Sequence, residues 1–266
     1  MPTGFPLDVE AAAAAAIDPF GAARDDRRDL PLVTLDPVGS RDLDQAFALE
    51  PRGSGWTVWY AIADVGAVVV PGGPIDVEAR QRGVTLYLPD GRAPLHPPTL
   101  SEGSGSLLPG QDRPAVLWRL DIDDAGRLTS GRARRALVRS RAQLDYVSAQ
   151  AALDAGTAEE AIVSLRTVGE VLQAAEEERG GVSLPLPEQV VEEGKLAWRS
   201  PVPTEGWNAQ LSLLCGRAAA NLMLQGDVGL LRTMPPADER TMRRIARAAT
   251  ALGVAWPEGP AEQTYP

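Results

Sequence analysis

Glycine and proline interrupt this chain so often that a bundle of long helices is excluded: 26 glycines and 23 prolines are spread through 266 residues. Proline removes a backbone donor and glycine loosens a helix, so short elements joined by turns are required. Trp56 to Ala63 (WTVWYAIA) is rich in β-branched and aromatic residues and is expected as a central strand. Ala115 to Ile122 and Leu128 to Val138 read as two strands joined by a turn at Asp123-Asp124-Ala125-Gly126, and Pro31 to Leu35 as a strand that stops at Asp36. Glu188 to Glu193 and Lys195 to Ser200 read as a hairpin. Helices are expected over residues 8–17, over 75–81 behind Pro74, and from a Ser140 cap to Leu153. Further helices are expected over 158–178 before Gly180-Gly181, over 207–224, and over 239–252 behind Asp238. With no repeat and no long linker, one domain of mixed α and β type is the simplest division.

Net charge is 26 − 36 = −10, which weighs against a polyanionic partner over the surface as a whole. The arginines are clustered, however. Six lie between Arg127 and Arg141, and Arg240, Arg243, Arg244 and Arg247 form a second group on an amphipathic helix, where a solvated face is an equally good reading. The lone Cys215 cannot form an internal disulfide, so a reducing, cytoplasmic setting fits. The Ala11 to Ala16 run is too short for a signal core or membrane span, so a soluble protein with no membrane partner is expected. The single His96 cannot anchor a zinc motif, and there is no GxSxG, P-loop or GxGxxG, hence no dinucleotide cofactor. Carboxylate is the catalytic material that remains.

It is concentrated in Leu35-Asp36-Pro37-Val38-Gly39-Ser40-Arg41-Asp42-Leu43-Asp44-Gln45-Ala46. Asp36 sits where a strand ends, and Pro37 and Gly39 should turn the chain back. Asp42 and Asp44 are two apart and point the same way in extended backbone. Convergent carboxylates repel unless a cation neutralises them, and oxygen ligands favour Mg²⁺, with Mn²⁺ as the other choice. Spacing alone leaves a second reading open, an Asx-rich turn with exposed acids.

The same segment resembles the RNB signature of the ribonuclease II and ribonuclease R family, in which four aspartates follow the pattern D-x5-D-x-D-D. Further blocks agree in order: Ala61 to Val65, Asp76 to Gly83, Leu86 to Pro89, Pro94 to Pro98, Leu100-Ser101, Ser106-Leu107, Arg113-Pro114 and Ser140 to Tyr146. The resemblance covers residues 30–250. It implies an α+β fold, an RNB-type mixed domain with a central, largely antiparallel sheet flanked by helices and incomplete at its C-terminal end. On this division residues 1–30 are an N-terminal extension, 31–255 the catalytic domain and 256–266 a loose tail. Asp36, Asp42 and Asp44 match three of the family's metal-site acids, with Asp42 and Asp44 catalytic and Asp44 closest to the chemistry. Tyr87 matches a tyrosine that stacks on a base near the 3′ end, and Tyr146 an aromatic near the scissile nucleotide; without the resemblance both read as core or strand residues.

The family's fourth aspartate is Gln45 here, whose amide oxygen is expected as a weaker ligand, and its usual glutamate pair appears as Asn208-Ala209-Gln210. The family's closing arginine block, which grips the scissile phosphate, has no match in these residues, nor do the OB-fold RNA-binding domains. Single-stranded RNA is then expected to be held by the catalytic domain itself, with the Arg127 to Arg141 ribbon, including Arg134 and Arg139, as one candidate surface. Only alternate strand residues of that ribbon face the same side. The resemblance implies a 3′-to-5′ exoribonuclease releasing nucleoside 5′-monophosphates with Mg²⁺. The departures imply the alternative of a non-catalytic RNA-binding or regulatory protein that keeps the fold.

Overall fold

The computed structural model describes residues 4–231, 233, 235 and 237–255; the expected tail from Trp256 lies outside them. Its centre is a seven-stranded sheet built from β1 (Asp25–Asp26), β2 (Val33–Asp36), β3 (Gln45–Arg52), β4 (Gly55–Ala63), β7 (Asp112–Ile122), β8 (Leu128–Arg139) and β9 (Ala142–Asp145). Two short hairpins stand apart from it, β5 (Leu86–Leu88) with β6 (Gly91–Ala93), and β10 (Glu188–Glu192) with β11 (Lys195–Arg199). The helices are α1 (Leu7–Ala14), α2 (Val65–Val68), α3 (Pro74–Arg82), α4 (Tyr146–Asp154), α5 (Glu160–Glu178), α6 (Pro203–Gln225) and α7 (Glu239–Ala251). Among the described residues no helix is long and apolar enough to cross a membrane.

Strand order is β1-β8-β7-β4-β3-β2-β9. All pairings are antiparallel except β1 with β8 and β2 with β9 at the two edges. The sheet is therefore mixed and largely antiparallel, as expected. Val58, Tyr60, Trp118, Leu120 and Ile122 project from one face and bury against α5 and α6. In α5 the buried residues Ile162, Leu165, Val168, Gly169 and Leu172 recur at helical spacing. Gly169 lets α6 approach closely, since a Cβ there would lie 2.3 Å from the Trp207 side chain. The opposite face, rich in alanine (Ala46, Ala48, Ala61, Ala115, Ala136), is covered by Leu30, Leu32, Leu43 and Leu107.

Two expectations shift. Ser140 does not cap a helix: it is buried, its Oγ donates to the Ala142 carbonyl at 3.1 Å, and the chain runs on as β9. Asp145 caps α4 instead, accepting from the Ser148 N–H at 2.8 Å. The strands β1, β3, β5, β6 and β9 were not legible as separate elements. They are short or bordered by charged residues, and they exist because neighbours complete their hydrogen bonds.

Candidate active site

The acid-rich segment is the connection from β2 to β3. Beyond Asp36 the chain turns at Pro37 to Ser40, where the Ser40 N–H donates to the Pro37 carbonyl at 3.1 Å. Gly39 takes φ +81°, a conformation costly for other residues. The chain then returns to β3 pinned by Leu43, whose side chain is fully buried. The Leu43 N–H donates to Ser106 Oγ at 3.0 Å, the Ser106 hydroxyl donates to the Arg41 carbonyl at 2.6 Å, and the Leu43 carbonyl accepts from the Leu107 N–H at 2.7 Å. Sinking Leu43 into the core turns its neighbours Asp42 and Asp44 away from it.

Asp36 is half-buried, and its carboxyl is pushed up to about 7, first by burial and then by the nearby charges of Asp44 and Asp42. Asp44 is raised as well: burial and Asp42 push it up, while its own backbone N–H and the Gln45 amide pull it down. By surface area Asp44 is exposed, so water reaches its carboxylate although protein atoms crowd it, as on the floor of an open cleft. Neither Asp36 nor Asp44 forms an ion pair among the described residues. Asp36 and Asp44 are thus both disfavoured as anions, with no cation partner among the described residues.

Asp42 behaves differently. Its Oδ2 accepts from Arg92 Nη1 at 2.6 Å, and the same guanidinium donates to Glu102 Oε1 at 2.6 Å. Asp42 is thus close enough to raise the other two acids but is drawn toward the β5–β6 hairpin. Among the described residues no three acid, histidine or cysteine side chains converge tightly enough to cage a metal ion. The expected triad is a pair with a third acid beside it, because Arg92 competes for that third carboxylate. Arg92 carried no sequence signal; only the hairpin's position reveals it.

Next to the pair lies a cavity of about 50 Å³ lined by Asp36, Gln45, Phe47, Tyr60, Tyr146 and Asn208, with Leu35 and Ala46. The Tyr60 hydroxyl donates to Gln45 Oε1. Gln45, expected as a neutral metal ligand, accepts from Tyr60 through its carbonyl and helps hold Asp44 down. Asn208 Nδ2 donates to the Tyr146 hydroxyl at 3.0 Å and reaches the Leu35 carbonyl at 3.4 Å. Burial pushes the Tyr146 phenol up to about 12, so it stays protonated. Tyr60 and Asn208 enter the site because β4 and α6 bring them there. Tyr60 reads in the sequence only as one residue of a strand.

Tyr87, on β5, is 73% exposed. Its phenol is raised by partial burial and by Asp42, with Arg92 opposing and Asp44 adding, so its hydroxyl lies within range of the acids. Arg134 and Arg139 are not in this cleft. Arg134 lies opposite Leu117 on the face away from α5 and α6, 3.8 Å from Asp25, and Arg139 is held by Asp112 at 2.6 Å. Strand alternation on β8 and its place four strands from β2 separate them from the acids.

The donor set fits a hard divalent ion of the Mg²⁺ kind. Such an ion keeps waters of its own and takes one or two carboxylates plus substrate oxygens rather than an all-protein cage. Asp36 and Asp44 would supply that pair, and an added cation would relieve the burial and the neighbouring acidic charge that raise each of them.

Known proteins resemble the chain in sequence and in fold. The sequence profile of the RNB domain matches residues 24–264. Ribonuclease R of Escherichia coli (strain K12) is 40% identical over 171 residues, covering 61% of this chain and 21% of that protein. The chain thus spans about a fifth of the length of that relative. Among solved structures, Mycoplasma genitalium RNase R in complex with ribose-methylated single-stranded RNA superposes with a TM-score of 0.87 at 24% identity, over 96% of this chain and 42% of that one. Yeast Ssd1, described as a pseudonuclease, superposes with a TM-score of 0.68 at 16% identity, over 94% of this chain and 31% of that one. At these identities the superpositions speak to the fold.

Proposed function

The chain belongs to the RNB domain family, and on that premise we propose that it is a metal-dependent 3′-to-5′ exoribonuclease acting on single-stranded RNA. The observation that carries the proposal is the pair Asp36 and Asp44, both raised and without a cation partner among the described residues. Resident relatives that include Escherichia coli ribonuclease R and a fold shared with an RNA-bound RNase R support it.

Asp36 and Asp44 would hold Mg²⁺, with Asp42 beside them. Bound there, the ion would supply Lewis acidity toward water and charge neutralisation at the phosphoryl group, the chemistry that hydrolysis to nucleoside 5′-monophosphates needs. Gln45 orients Asp44 through its amide and is itself fixed by Tyr60. The Tyr87 ring offers an exposed π-face to a base, a contact that tolerates every base. Tyr146, held by Asn208, closes the inner wall at Asp36. The chain acts in the cytoplasm.

The test is release of mononucleotides from a short labelled RNA as Mg²⁺ is titrated. Release should require the ion, and Asp44→Asn should reduce it to background while RNA binding persists. A second reading, a non-catalytic RNA-binding protein of the same fold, is favoured by Gln45 in place of a carboxylate and by Asp42 being paired to Arg92. RNA that is bound but never shortened at any Mg²⁺ or Mn²⁺ concentration would establish it.

A further inference from the structure

Arg92 stands out because nothing in the acid pair requires it. It lies on β6 directly opposite Tyr87 on β5, so the two side chains leave the hairpin on the same face. Leu86, Tyr87 and Leu88 are all exposed, so β5 stands clear of the core. The Arg92 guanidinium nevertheless reaches back to Asp42 on the β2–β3 connection and to Glu102 in the turn that follows the hairpin, at 2.6 Å each, with the side chain 30% exposed. Arginine has five N–H donors in a planar fork suited to phosphate, of which these two carboxylates occupy two. Here a permanent cation stands between an exposed aromatic ring and an acidic floor.

We propose that Arg92 is an RNA-phosphate-binding residue, gripping the backbone of the nucleotide whose base lies on Tyr87, with Asp42 as its partner when RNA is absent. The inference rests on the proposed RNA substrate. Cross-strand neighbours have Cβ atoms ~5 Å apart, a separation that a single ribose bridges between base and phosphate. An incoming phosphodiester exchanges one anion for another on the guanidinium, so Arg92 never becomes an unpaired charge. Glu102 keeps the side chain in place during the exchange, and Asp42 is released toward Asp36 and Asp44. The hairpin thereby couples strand binding to completion of the acidic site.

The experiment is fluorescence anisotropy of a short labelled oligoadenylate with the whole chain in EDTA, over a series of salt concentrations. Arg92→Gln keeps hydrogen-bonding capacity and removes the charge. It should weaken binding by about 10-fold, as expected for loss of a charge-assisted hydrogen bond, and flatten the plot of log K against log salt by about 0.7. Arg92→Lys should keep the wild-type slope while losing part of the affinity, because it retains a point charge without the fork. Tyr87→Ala should weaken binding with the slope unchanged. An Arg92→Gln protein with the wild-type slope, whether or not its melting temperature falls, would reduce Arg92 to a structural tether and overturn the inference. Should Arg92→Gln fail to fold, a flattened slope in Arg92→Lys would overturn it equally. Wild-type chain that binds no RNA sinks the substrate proposal as well, whereas wild-type binding with an unmoved Arg92→Gln slope sinks this inference alone.

Discussion

Asp36 and Asp64 make an instructive pair. Each follows the last apolar residue of a strand in the same sheet, and each is withdrawn from solvent. Asp64, 7% exposed, accepts from Arg24 Nη2 and from Arg135 Nε, both at 2.9 Å. Arg24 is itself fully buried and also bound to Asp18 at 2.6 Å, and Arg135 lies over the Phe20 ring at 3.9 Å. That network clamps the N-terminal segment to the β8 edge. Asp36 has neighbours of its own sign instead, Asp44 and Asp42. A buried carboxylate with matched guanidiniums is a structural fixture, whereas one left among like charges is held by the fold at a cost that only an added cation or proton relieves.

The comparison breaks most directly at Asp64. Asp64→Asn should destabilise the protein by about 3 kcal/mol, because it leaves a buried guanidinium under-compensated. The melting temperature should then fall by roughly 2–4 °C per kcal/mol, and added Mg²⁺ should not restore it. Gln45→Asp tests the opposite side by adding a third carboxylate to the pair. Without divalent ions it should cost about 2 kcal/mol. With Mg²⁺ at a hundredfold excess over Kd, about 2.7 kcal/mol should return, and a loss that Mg²⁺ does not repair would mean that the floor is no cation site.

The pH dependence is smaller. The folded Asp36 carboxyl, at about 7, lies above the ordinary carboxylate value near 3.9. Its contribution to stability is therefore fully present below about pH 4 and is lost as pH rises toward and through 7. Thermal melts in EDTA should show that decline between pH 4 and 7, Asp36→Asn should flatten it, and Mg²⁺ should offset it at the upper end. Least affected should be Arg134→Ala, which removes an exposed contact 3.8 Å from Asp25. It should change stability by less than about 1 kcal/mol in the same melts.

Much of the frame was legible from residue order. WTVWYAIA announced β4, the Asp123-to-Gly126 turn announced the β7–β8 hairpin, and the stretch 158–178 closed by Gly180-Gly181 announced α5. These elements carry their own pattern, because burial on one face imposes periodicity on the chain. In the site, the spacing of Asp36, Asp42 and Asp44 correctly marked one acidic connection, but the convergence of all three did not follow. Asp42 turns toward Arg92, fifty residues away, and no local pattern reports that. Arg134 and Arg139 come from one dense run of charge, and only the fold shows that they lie away from the acids and are paired with Asp25 and Asp112.

What the sequence determined by itself is the placement of acids around a glycine-assisted turn, the pattern of strands and helices, and the ordered blocks that mark an RNB domain. Those are properties of neighbours along the chain, set by backbone conformation and by which side chains prefer to leave water. The tertiary structure alone decided which acids keep a cation: Arg24 and Arg135 go to Asp64, Arg92 goes to Asp42, and among the described residues none goes to Asp36 or Asp44. Coulomb energy depends on distance through the folded body and on local dielectric, and neither quantity is written in the separation of residues along the chain.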